Sequence, residues 1–291
     1  MPRAAPRDLI YRRRRYPPEI IELCVRWYIT YRLSYRDLVA MMAERAVEVF
    51  HTTILRWVQR YVPEYERRWA RFLRPPSQSW RMDETEVVIR GRPHWLYRAV
   101  DRNGKSVHSL LCDNRTIESA KAFFQTAVAR TEVPWPATIN LDGNAAIHQS
   151  LRQLSREDPR WNSVRLRANR YLNNLIEQDN RAIKQRCASM LGLKTASSAA
   201  VTLSGIELAH RIRKGQFRLL VSGNRPRPSL LELWDSALRQ PDTPDLPATS
   251  GAPLTHQIST DWYRPSRRRS RRPWPRRFPL KGPKAAACIC L

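Results

Sequence analysis

The 291-residue chain has no run of 18 or more apolar residues, which excludes a membrane-spanning helix, since a bilayer core needs about 20. Its beginning lacks the apolar stretch of a secretory leader: Arg12-Arg13-Arg14-Arg15 leads into an amphipathic segment. An intracellular protein without membrane contact is therefore expected. Cysteine is scarce: Cys24, Cys112, Cys187, Cys288 and Cys290 are odd in number, scattered and without CxxC spacing, which speaks for free thiols rather than a disulfide frame or a zinc site. His51, His94, His108, His148 and His210 show no ligand spacing with cysteine or one another, so no transition-metal site is assigned. The last four residues, Cys288-Ile289-Cys290-Leu291, formally fit a prenylation box, a match short enough to arise by chance. Acidic residues are also few, 26 against 52 Lys and Arg, giving a net charge of +26. That excess is beyond what solubility requires and points to a polyanionic partner, nucleic acid first.

Apolar residues Ile20, Leu23, Cys24, Trp27 and Tyr28 after Pro17-Pro18 have helical spacing with proline at the start. Ser34 with Asp37 three residues on predicts a capping box and a second helix to about Ala46. A third helix starts near Thr52 with Ile54, Trp57, Val58 and Tyr61 inward, and Pro63 interrupts its pattern. Three short helices in this order suggest a helix-turn-helix domain over 17–74, behind a basic arm at 1–16. Pro75-Pro76 opens a linker at 75–79.

From Trp80 the pattern changes. Trp80–Ile89, Trp95–Val100 and Val107–Cys112 have strand composition, with Asp101-Arg102-Asn103-Gly104 as a hairpin turn. A helix near Ile117–Ala129, a strand at Thr138–Leu141, a helix after Asn144, a strand near Val164–Leu166 and helices beyond Leu172 follow. Three strands and then alternating helix and strand is the order of an α/β, RNase H-like (retroviral-integrase-like) mixed sheet with flanking helices, expected over 80–221. Beyond it, 222–291 is rich in Arg and Pro. Apart from a short helical pattern at Leu230–Leu238 it is expected to be disordered and dispensable for catalysis, with ten Lys or Arg and one acid within Asp261–Leu291.

In a basic domain the acids stand out. Asp83 lies in the first strand, Asp142 follows the fourth, and Glu177 sits in a helix after the fifth. In an RNase H-like sheet the first strand lies beside the fourth, so the two aspartates converge and Glu177 approaches from a covering helix. Hard oxygen ligands in that number suit magnesium or manganese. Taken singly, Asp83 is one of several acids in Asp83-Glu84-Thr85-Glu86, Asp142-Gly143 is a turn, and Glu177 is a solvated helix residue.

The stretches Trp80-Arg81-Met82-Asp83-Glu84-Thr85, Trp95-Leu96-Tyr97-Arg98-Ala99-Val100-Asp101, Tyr171-Leu172-Asn173-Asn174-Leu175-Ile176-Glu177-Gln178-Asp179 and Ser204-Gly205-Ile206-Glu207 closely resemble the DDE transposases of the insertion-sequence-six family. The resemblance runs from about Tyr16 to Gln216. It implies that Asp83, Asp142 and Glu177 are a catalytic triad holding two Mg²⁺ (or Mn²⁺) ions. It also implies that the substrate is double-stranded DNA, both inverted-repeat element ends and target, that joining gives cointegrates, and that at least a homodimer assembles in the cytoplasm, on the nucleoid. Two positions depart from the family: Ala46 stands where a turn glycine is common, which implies a strained corner if that residue needs positive φ, and Asn180 replaces a histidine, which is expected to remove a contact behind the metal ligands or to DNA.

Two surfaces are expected to meet DNA. On the third helix Thr53, Arg56, Gln59 and Arg60 share the outward face, suited to base edges in the major groove or to phosphates. Asn173, Arg181 and Lys184 fall at i−4, i+4 and i+7 from Glu177, on its face, as phosphate contacts or as a solvated basic face. Two rival readings stay open: a catalytically inactive derivative that binds element ends as a repressor, and a general RNase H-like nuclease.

Overall fold

The computed structural model describes residues 9–12, 14–130, 133–188, 190, 193–218 and 229–239. The start of the expected arm, residues 222–228 and everything from 240 onward lie outside the described residues. Helix α1 (Pro18–Thr30) begins at proline, whose missing N–H costs nothing in a first turn. Helix α2 (Tyr35–Ala43) carries the expected capping box: Asp37 N donates to Ser34 Oγ at 3.2 Å, and Ser34 N to Asp37 Oδ2 at 2.7 Å. In the turn that follows, Ala46 has φ +56, the left-handed conformation that a Cβ disfavours by about 1–2 kcal/mol. Ala46→Gly should therefore raise stability by about 0.5–1 kcal/mol after the extra unfolded-state entropy of glycine is subtracted, read as a small rise in urea midpoint.

Helix α3 runs unbroken from His51 to Ala70, through Pro63. This corrects the expected interruption. The side chains of Tyr61, Val62, Tyr65 and Trp69 are all buried around the proline, and their burial outweighs the roughly 3 kcal/mol that an internal proline costs a helix.

Strands β1 (Ser79–Ile89), β2 (Arg92–Asp101) and β3 (Ser106–Cys112) form an antiparallel meander. The β1–β2 turn has positive φ at both Arg90 and Gly91, matching the twist of the flanking strands. Helix α4 (Ile117–Val128), strand β4 (Thr138–Leu141), helix α5 (Ala145–Glu157), strand β5 (Arg165–Ala168) and helices α6 (Arg170–Ala188) and α7 (Ala196–Arg213) complete the unit. The sheet order is β3-β2-β1-β4-β5, with β4 parallel to β1 and β5 parallel to β4. That is the RNase H-like mixed sheet expected from the element order.

The sheet has a core on each face. Trp80, Met82, Tyr97 and Ala99 pack with Phe123, Phe124, Ile147 and Leu151 of α4 and α5. On the other face Val87, Ile89 and Leu96 share a core with Ile183, α7 and helices α1–α3. Gly205 makes the closest approach there: a Cβ on it would come within 2.8 Å of Ile29 Cγ2 and 3.0 Å of Val62 Cγ1. The N-terminal helices are thus built around α7, not closed on themselves.

The same core takes in the short helical pattern set apart within the Arg- and Pro-rich segment. Leu230–Arg239 forms helix α8, and Trp234, 1% exposed, packs edge-on against Tyr65 and Trp69 at ring-centroid distances of 5.8 and 5.3 Å. Arg68 Nη1 donates to Leu238 O at 2.7 Å. The sequence shows a Trp and four Leu on ten residues, enough for one apolar stripe once a partner exists.

Candidate active site

Parallel pairing of β1 with β4 aligns Ser79 with Thr138 and Arg81 with Asn140. Two residues further on, that register sets Asp142 beside Asp83. Because β4 ends at Leu141, β1 has an open edge at this level, and side chains from either of its faces can turn into it. Asp83, Glu84 and Asp142 each place a carboxylate oxygen within 4.8 Å of the others.

Their surroundings favour a divalent cation. Burial, then the charges of Glu84 and Asp142, raise the Asp83 carboxyl to about 6, partly opposed by Asn180. The Glu84 side chain is 1% exposed; its Oε1 accepts from Asn144 Nδ2 at 2.6 Å and from Arg115. Its Oε2 is buried with no hydrogen-bond partner among the described residues. Three close acids and an unpaired buried carboxylate oxygen are what a hard cation would neutralise. Sequence reasoning passed over Glu84, whose position beside Asp83 on a strand suggests the opposite face. The signal that could have found it is the short β4, which leaves that edge vacant.

Glu177 lies outside this three-carboxylate group, exposed on α6. Its helix is pinned on both sides of it. Asn173, four residues earlier, accepts from Asn140 Nδ2 at 2.6 Å, and Asn180, three residues later, donates to Asp83 Oδ2 at 2.7 Å. Asn180 thus makes a contact at the site, contrary to the loss expected from its replacing histidine. Asn173 is 4% exposed and committed to Asn140; one turn from Glu177, it lies at the flank of that side of α6 that is buried against β4, whereas Glu177 is exposed. Arg181 and Lys184 are exposed on α6.

On α3, Arg56 and Arg60 are exposed and Thr53 is half-buried. Gln59 is turned inward: its Nε2 donates to Ser198 O at 3.1 Å and Thr202 Oγ1 at 3.4 Å on α7. The outward face read for Gln59 took α3 as one side of a three-helix domain, whereas α7 covers that side.

A mixed sheet in this order, with carboxylates midway along β1 and just past the end of β4, is the arrangement of the DDE class of enzymes, which cut and transfer DNA strands. Residues 77–216 match a family described as the DDE domain. The transposase for insertion sequence-like element IS431mec of Staphylococcus aureus strain Mu50 is 32% identical over 211 residues, 72% of this chain and 91% of the relative. The transposase of insertion sequence element IS257 in transposon Tn4003, also of Staphylococcus aureus, is 31% identical over the same shares. The chain belongs to the insertion-sequence-six family of DDE transposases. Among solved structures, the dimeric HTLV-2 integrase catalytic core matches 51% of this chain and 91% of its own at 19% identity and a TM-score of 0.35. The BIV integrase core matches 45% and 83% at 18% identity and a TM-score of 0.33. Among the described residues no helix is long and apolar enough to cross a membrane.

Proposed function

We propose that this transposase binds the terminal inverted repeats of its element, hydrolyses a phosphodiester at each end, and joins the freed 3′-hydroxyl to target DNA. The observation that carries the reading is the meeting of Asp83, Glu84 and Asp142 at the open edge of β1. Asp83 and Asp142 hold the metal, with Glu177 completing the set from α6. Two Mg²⁺ or Mn²⁺ ions, when bound there, supply activation of the attacking oxygen and stabilisation of the leaving one. No covalent protein–DNA intermediate is required. Arg181 and Lys184, exposed on the same helix as Glu177, neutralise phosphates of the strand being cut. Thr53, Arg56 and Arg60 on α3 read or grip the repeat, and two or more copies of the chain bring the ends together.

Incubation of the full chain with a labelled inverted-repeat end and Mg²⁺ should yield a 3′-hydroxyl nick and then strand-transfer product. End binding without cleavage in either Mg²⁺ or Mn²⁺ would leave the repressor reading instead. Arg56→Ala should weaken binding to the repeat by about 1–3 kcal/mol more than binding to random duplex if Arg56 reads a base. An equal loss on both duplexes would make it a phosphate contact.

A further inference from the structure

Asp83 and Arg98 are direct cross-strand partners in the β1–β2 register, yet no ion pair joins them. Asn180 stands between: its Oδ1 accepts from Arg98 Nη1 at 2.6 Å, and its Nδ2 donates to Asp83 Oδ2 at 2.7 Å. Arginine carries only donors, so the amide atom that faces it must be the oxygen, and the nitrogen is left for Asp83. The orientation of the amide is therefore dictated by Arg98.

Arg98 is itself immobilised. Its Nε and Nη2 meet Glu207 at 2.5 and 3.1 Å, and Nη2 also meets Asp179 Oδ2 at 2.7 Å. Burial opposes the charge of Arg98, but Glu207 and Asp179 outweigh it and hold the guanidinium firmly protonated. Burial would likewise raise Asp179, but His210, Arg98 and Lys214 keep it well below the usual carboxylate range. His210 Nε2 lies 2.7 Å and Lys214 Nζ 2.5 Å from Asp179 Oδ1. The cluster thus joins β2, α6 and α7 with its charges matched internally, and the guanidinium next to Asp83 is spent on two other acids.

We infer that Asn180 is a positioning residue of the metal site: oriented by Arg98, it fixes the Asp83 carboxylate with a neutral donor and keeps the guanidinium from pairing with it. A direct Arg98–Asp83 pair would neutralise the charge that a divalent ion requires, whereas an amide donor fixes the torsion and leaves the charge in place. The inference rests on Asp83 being a metal ligand, as proposed above. Partners of this kind typically change metal affinity by about 10–100-fold when removed.

The test is Mn²⁺ binding to the full-length, DNA-free chain, counted by electron paramagnetic resonance of free Mn²⁺, with a thermal melt of every variant. Asn180→Ala should weaken binding by on the order of tenfold. Asn180→Leu, which keeps the volume without the hydrogen bonds, should do the same if the alanine variant folds poorly. Asn180→His should recover most of the affinity, because a neutral imidazole also offers one acceptor and one donor on opposite sides. In cleavage assays the alanine variant should regain rate at high Mn²⁺, which a general loss of structure would not allow. Asp83→Asn is the reference that separates the two readings. Loss of Mn²⁺ binding in Asp83→Asn but not in folded Asn180→Ala or Asn180→Leu overturns this inference alone, as does a histidine variant no better than leucine. Unchanged binding in Asp83→Asn overturns the metal site itself.

Discussion

Asp83→Asn and Asp142→Asn should each lower strand cleavage by on the order of 10³-fold or more, while binding of a labelled element end changes little. The size follows from removing a charge that acts only when the scissile phosphate and metal are both in place, the kind of unit whose loss collapses catalysis. Binding should survive because the proposed phosphate contacts belong to basic side chains elsewhere, the exposed Arg181 and Lys184 among them. The informative comparison is between the two remaining acids. Glu84 already accepts from Asn144 and Arg115 through Oε1, so Glu84→Gln removes a charge that Arg115 already partly neutralises and should cost less, about 10–100-fold. Glu177→Gln should match the aspartates if α6 supplies the third ligand. Cleavage kinetics on a pre-bound end, with anisotropy in Ca²⁺ for binding, separate these outcomes. A larger loss in Glu84→Gln than in Glu177→Gln would make Glu84 the third carboxylate, and near-parental cleavage in Asp83→Asn would remove that residue from the site.

Trp234→Ala should destabilise the protein by about 3–5 kcal/mol, the range for deleting a fully buried large aromatic. Trp234 is 1% exposed and closes an aromatic group with Tyr65, Trp69 and Phe217: Phe217 lies 4.7 Å from Trp69, which itself lies 5.3 Å from Trp234. For a unit of this size that corresponds to a fall in melting temperature of roughly 10 °C. Removing all of α8 should cost at least as much, because the burial of Trp234 and the hydrogen bond from Arg68 Nη1 to Leu238 O are then both lost. A chain ending at Ser222 should therefore melt well below one ending at Asp242. Equal melting temperatures would mean that α8 packs without stabilising α3, and that the catalytic unit ends where the periodicity of the sequence first fades.

Local order was legible because it depends on neighbours in the chain. The left-handed strain at Ala46 was legible from the family resemblance, while the capping box at Ser34 and Asp37, the strand alternation from Trp80 and the turn at Asp101–Gly104 all followed from a few adjacent residues. So did the meeting of Asp83 and Asp142, since the element order of an RNase H-like sheet forces β4 against β1. Pro63 was misjudged because a local rule was applied where distant burial decides. The inward turn of Gln59 and Asn173 and the burial of Trp234 depend on which face of α7, α6 or α8 arrives from far along the chain, and the joining of Glu84 to the carboxylates depends on where β4 stops beside β1. Arg98, Asp179 and Glu207 lie in three of the stretches that carry the family resemblance, each readable alone as a surface charge. Only the tertiary structure buries them together, because a charged group can leave water only where its partners have already been brought to meet it.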